Sequence, residues 1–141
     1  MRSQPLTTRA APALLALLLL AGPVAAEVID ITNQQLKSLL DRRAVVIDVR
    51  TEGEWQQTGV IEGSHLLTFF DARGRYDARA WLDKLATIAK PDQPVVLVCR
   101  TGRRSASIAA FLARDTGYTT IYNLRDGING WQKAGNQTTK P

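Results

Sequence analysis

Cysteine and histidine are nearly missing: the 141 residues hold one of each, Cys99 and His65. An intramolecular disulfide, a zinc finger, an iron–sulfur cluster and a haem attachment motif each need several such ligands, so all four are excluded. No metal and no cofactor are expected. Charge of one sign is never concentrated either. Eighteen Lys and Arg oppose thirteen Asp and Glu and are interspersed with them, for a net charge of only +5. That pattern gives no footprint for nucleic acid. A bilayer-spanning run is also missing, because the one apolar stretch, Ala10 to Ala21, has about twelve residues against the roughly twenty required.

That stretch has a different meaning. Arg2 and Arg9 precede it, Gly22-Pro23 breaks it, and Val24-Ala25-Ala26 supplies small residues where a signal peptidase cuts. The layout is that of a secretory signal peptide over residues 1–26. The expectation is a periplasmic or secreted protein that begins at Glu27 and keeps no membrane anchor. Arg2 and Arg9 leave with the leader, so sixteen basic residues then face thirteen acidic ones. The remaining length suits a single core, taken as residues 27–135, followed by a flexible polar tail, 136–141.

Strands and helices alternate through the domain. Ala44 to Val49 and Val95 to Val98 are β-branched runs without polar alternation, as in strands buried on both faces. Residues 28–31, 65–67 and 119–122 are further strands. Helical spacing of apolar residues follows Thr32 or Asn33, covers 52–57 and 79–89, and resumes over 105–114 and 127–133. The expected fold is α/β, a mostly parallel five-stranded sheet with helices on both faces in three layers.

The chemistry concentrates in Cys99-Arg100-Thr101-Gly102-Arg103-Arg104-Ser105. The cysteine follows a buried strand and precedes a helix, and open α/β sheets place their sites at this end of the strands. A tight loop entering a helix turns backbone N–H groups inward and makes a cradle for an anion. The helix dipole and three arginines favour thiolate over thiol at Cys99, the mark of a reactive sulfur. Gly102 lets the loop curl around it.

Three stretches together resemble the rhodanese-like sulfurtransferases. Asp48-Val49-Arg50 with Glu54, Gly59 and Gly63-Ser64 is similar to that family's first signature. Cys99 to Ser105 is similar to its active-site loop. Gly117-Tyr118, Asn123-Leu124, Gly127-Ile128 and Trp131 are similar to its C-terminal signature. The departures are Val60, where many members have histidine, and Asp126, where many have glycine. The resemblance implies a rhodanese-like fold and a thiosulfate sulfurtransferase with Cys99 as the nucleophile. It would pass sulfane sulfur through a persulfide to cyanide or a thiol. Arg100, Thr101, Gly102, Arg103 and Arg104 would bind the substrate anion. For Arg104, bracing the loop is an equally open reading. Asp48, Arg50 and Glu54 would form a supporting charge network. The implied partners are a small anionic sulfur donor and a nucleophilic acceptor, and the implied state is a monomer.

Two alternatives stand beside this reading. One is a persulfide carrier or binding module without turnover. The other is an oxyanion enzyme of the phosphatase or arsenate-reductase kind. Phosphatases of related fold place one residue more between cysteine and arginine, whereas here four separate Cys99 from Arg104. The tighter ring suits a single sulfur better than a tetrahedral phosphate.

Overall fold

The computed structural model describes residues 25–141, so the expected leader, up to Val24, lies outside the described residues. Five strands form one sheet: β1 (Glu27–Ile31), β2 (Val45–Asp48), β3 (His65–Leu66), β4 (Val95–Val98) and β5 (Thr120–Leu124). Their order is β1-β5-β4-β2-β3, and every pairing is parallel. Five helices connect them: α1 (Asn33–Asp41), α2 (Glu52–Thr58), α3 (Ala78–Ile88), α4 (Arg103–Asp115) and α5 (Gly127–Lys133). The expected α/β architecture is therefore present. Among the described residues no helix is long and apolar enough to cross a membrane.

Pleating sorts alternate residues of each β-branched run onto opposite faces of the sheet. Ile47, Val95, Leu97 and Ile121 meet Trp81 and Leu85 of α3 and Ile108 and Leu112 of α4. Val46, Val96, Val98 and Leu124 meet Leu36 of α1 and Ile128 and Trp131 of α5. Each fully buried aliphatic side chain contributes about 1.5–3 kcal/mol relative to exposure. Both faces are thus committed to core, and only the strand ends are left for function.

Local chemistry sets the helix starts. Thr32 and Thr51 each close a capping box, with Gln35 and Glu54 reaching back to the cap N–H. Asp77 accepts from the Ala80 N–H and caps α3. α4 differs. It begins at Arg103, two residues before the expected Ser105, and its cap, Gly102, offers no side chain.

The tail departs from its expected flexibility. Val60 and Thr139 exchange two backbone hydrogen bonds of 2.9 Å, and Thr138 Oγ1 donates to the Thr58 carbonyl at 2.8 Å. Trp131 Nε1 donates to the Gln137 carbonyl at 2.8 Å. Gly59, at φ 72°, leaves the space the tail fills, since a Cβ there would stand 2.7 Å from Thr138 Oγ1. The tail is polar because it pairs through its backbone and short hydroxyls, which composition alone reads as fraying. At least residues 136–139 belong to the domain.

Candidate active site

β4 is the central strand, and its carboxyl end delivers the chain straight into the cysteine loop. Cys99 is buried, at 1% exposure, and its Sγ accepts the Gly102 N–H at 3.1 Å. Gly102 sits at φ 86°, which turns its N–H back onto the sulfur. The opposite wall of the loop is α5. Its Ile128 and Asn129 N–H groups donate to the carbonyls of Cys99 and Arg100 at 2.9 and 3.1 Å. Gly127, at φ 59°, allows this approach, because a Cβ there would lie 2.5 Å from the Arg100 backbone. The first backbone bond of α4 runs from Ala106 N–H to the Gly102 carbonyl. The N–H groups of Arg103, Arg104 and Ser105 precede it in the first turn, where a helix leaves its donors free for an anion.

The remaining loop residues divide by role in the fold. Arg100, Thr101 and Arg103 are exposed. Arg100, Thr101 and Arg104 line an open recess of about 640 Å³ together with Thr51, Glu54 and Asn129. Arg104 is not free, since its two Nη atoms grip the two Glu54 carboxylate oxygens, one of them at 2.9 Å. Of the two open readings for Arg104, the geometry therefore matches bracing.

The expected Asp48, Arg50 and Glu54 network is split in two. Arg50 is fully buried and faces Asp48, with Nη2 2.7 Å from Oδ2 and Nε 2.9 Å from Oδ1. It also reaches Thr58 Oγ1 at 2.7 Å and the Gly59 carbonyl at 2.9 Å, which ties the end of β2 to the end of α2. Glu54 instead belongs to Arg104, because its position in the Thr51 capping box points it across to α4. Removing one member of a buried pair strands the other charge. Arg50→Met should therefore cost about 3–5 kcal/mol of stability, read as a lower midpoint in urea unfolding.

The Glu54 pair carries a pH signature. Partial burial pushes the Glu54 carboxyl up, but hydrogen bonds from Arg104 and the Thr51 N–H, with the Arg104 charge, outweigh it and bring its pKa down to about 2. The same contact raises the Arg104 pKa. A carboxyl lowered in the folded state stabilises fully above its unfolded value and loses that contribution as pH falls through the folded one. The contribution should fade from about pH 4.5 to about pH 2. Both side chains keep contact with solvent, and its screening keeps the contribution small. Glu54→Gln preserves the capping box, so its acid unfolding curve should be flatter than wild type over that window.

Sequence reasoning gave no role to three polar residues that form a chain ending at the sulfur. Ser105 Oγ lies 3.2 Å from Cys99 Sγ and 2.6 Å from Asn123 Oδ1. Asn123 Nδ2 reaches Asp30 Oδ1 at 2.8 Å and the Gly102 carbonyl at 3.2 Å. Ser105 and Asn123 are buried, at 0% and 2% exposure. The available signal was Asn123 itself, an amide in the apolar run Thr120-Ile121-Tyr122-Asn123-Leu124. His65, by contrast, is exposed on the edge strand β3.

Residues 32–134 match the family model described as the rhodanese-like domain. The thiosulfate sulfurtransferase GlpE of Pseudomonas savastanoi pv. phaseolicola is 29% identical over 102 residues, 72% of this chain and 85% of that protein. GlpE of Actinobacillus succinogenes is 50% identical over 44 residues, which cover 31% of this chain and 39% of that protein. Among solved structures, Rv0390 of Mycobacterium tuberculosis superposes with a TM-score of 0.68 at 26% identity, covering 82% of this chain and 99% of that one. With its all-parallel sheet, cysteine loop and a family match over most of its length, this chain belongs to the rhodanese-like family.

Proposed function

We propose that the protein is a sulfurtransferase that carries sulfane sulfur on Cys99, with thiosulfate or a related anion as donor. The deprotonated Sγ attacks the outer sulfur of the donor. The new S–S bond forms as the old one breaks, and sulfite departs with the electron pair. Charge then sits on the outer sulfur of the persulfide, where the free first-turn N–H groups of α4 are available to hold it. Cyanide or a thiol attacks that sulfur and returns Cys99, which completes a two-step covalent cycle. Arg100, exposed at the rim of the recess with Thr101, would draw in the donor, with Arg103 adding to the field. Arg104 would hold the loop through Glu54.

One observation carries the reading: a lone sulfur receives a backbone N–H at 3.1 Å at the uncapped start of a thirteen-residue helix. The named activity of the GlpE relatives supports the choice of donor. Steady-state kinetics with thiosulfate and cyanide test it. Parallel double-reciprocal plots and steady thiocyanate release are expected. A chain that takes one sulfur without turnover is a carrier, and one that cleaves an aryl phosphate instead is an oxyanion enzyme.

The same proposal includes export. Glu27 N–H already donates to the Thr119 carbonyl at 2.8 Å in β1, so a cut after Ala26 leaves the sheet complete. N-terminal sequencing of the exported fraction should begin at Glu27, and an intact Met1 there would contradict it.

A further inference from the structure

A second cavity, of about 560 Å³, opens at the end of the sheet opposite the cysteine loop. Val45 and His65, the first residues of β2 and β3, line it. Val45 is in register with Val95 of β4. Cys99 follows Val95 by four residues, which at about 3.3 Å per residue puts it about 13 Å away along the sheet. Leu40, Ile61 and Trp131 give the cavity apolar walls. Trp131 Nε1 donates to the Gln137 carbonyl at 2.8 Å, which sets the tail beside the ring as a further wall.

Arg43, Glu62 and His65 also line the cavity, and all three are exposed. Elsewhere neighbours of opposite charge are joined, as in Arg50–Asp48, Arg104–Glu54 and Arg75–Asp71. Arg43 and Glu62 share a cavity without pairing, and neither side chain has a hydrogen bond among the described residues. A cation and a carboxylate are thus both available to something else. Arg43 is also held against its backbone preference. It follows the C-cap of α1, Arg42, at φ 58°. Its N–H donates to the Leu40 carbonyl at 2.8 Å, and the Ala44 N–H to the Leu39 carbonyl at 3.0 Å. Glycine is the residue that ordinarily closes a helix in this way, because a Cβ is strained in the left-handed region. Arg42 already places a cation at the negative end of the helix, so the helix itself has little need of a second.

We infer that this cavity is a binding site for a free amino acid with a large apolar side chain. The Arg43 guanidinium is a planar fork that fits a carboxylate, and the Glu62 carboxylate accepts from an ammonium. The apolar side chain covers Leu40, Ile61 and Trp131. A ligand with a single charge satisfies one of the two groups and sets nothing against the other. The volume is that of a small-molecule site. The inference does not rest on the sulfur-transfer reading, because no residue of the cysteine loop takes part.

Isothermal titration calorimetry with L-phenylalanine should show a single site with a Kd of about 1 mM or below. Phenylpropionate lacks the ammonium and phenethylamine lacks the carboxylate, so each should bind at least about tenfold more weakly. Arg43→Gly removes the fork and relieves the backbone. Its affinity for phenylalanine should fall at least about tenfold while its urea midpoint rises. Glu62→Gln, at an exposed position, should weaken phenylalanine by a similar factor and leave phenylpropionate unchanged. No heat from phenylalanine up to about 10 mM would overturn the inference. Equal affinity for the three probes would mean an apolar crevice without charge recognition, and would overturn it too. Unchanged phenylalanine affinity in Arg43→Gly would do the same. No sulfur donor enters these titrations, so a failure of the sulfur-transfer reading would leave their result intact.

Discussion

Cys99→Ser should reduce sulfur transfer to below about a thousandth of wild type while the protein stays folded. The hydroxyl is a far weaker nucleophile than a thiolate at neutral pH, and no second cysteine exists to replace it. Folding should survive because the substituted oxygen finds the same Gly102 N–H and Ser105 hydroxyl that now meet the sulfur. Thiocyanate release with thiosulfate and cyanide measures the loss, and circular dichroism checks the fold. Turnover above a few per cent in the folded variant would remove Cys99 from the role of carrier.

Gly102→Ala should be nearly as damaging, although it adds one methyl group and no charge. At φ 86° the residue is in the left-handed region, where a side chain is strained in any case. Here the space is also occupied. A Cβ would stand 1.9 Å from the Arg125 carbonyl oxygen and 2.6 Å from its carbon. Both are backbone atoms of the segment between β5 and α5, so neither can rotate away. The loop must shift instead and carry the Gly102 N–H off the sulfur. A misplacement of about an ångström costs about a hundredfold in rate, so kcat/KM should fall by at least about that factor. Strain of this kind also costs about 1–3 kcal/mol of stability, read in urea unfolding. A stable variant with unchanged kcat/KM would mean that the loop's curl is not what positions the sulfur.

Much of this architecture was legible before any coordinates. Ala44 to Val49 and Val95 to Val98 declare themselves because a strand covered on both faces has no use for polar alternation. The alternation of such runs with helical spacing then leaves few topologies. Cys99 was legible because a sulfur among cations, after a buried strand, has little other purpose. What escaped depends on proton direction and backbone angle. Ser105 reads as the first residue of a helix, yet α4 starts two residues earlier on a glycine with no capping side chain, and the serine hydroxyl is spent on Asn123. The last strand runs on through Asn123 and Leu124, past the Tyr122 at which apolar patterning stops it. Glu54 could be read as a partner of Arg50, and only the geometry of the Thr51 capping box sends it to Arg104. The tail, 136–139, escaped for the same reason: hydroxyls and amides that bind backbone are indistinguishable in composition from those that bind water.

The most direct test of sulfur transfer is the intact mass of the protein after incubation with thiosulfate and removal of small molecules. The wild type should gain the mass of one sulfur atom, lose it on addition of cyanide, and show the extra atom on the peptide that contains Cys99. Cys99→Ser should gain nothing. An unmodified wild-type mass, or a sulfur retained after cyanide, would contradict the account.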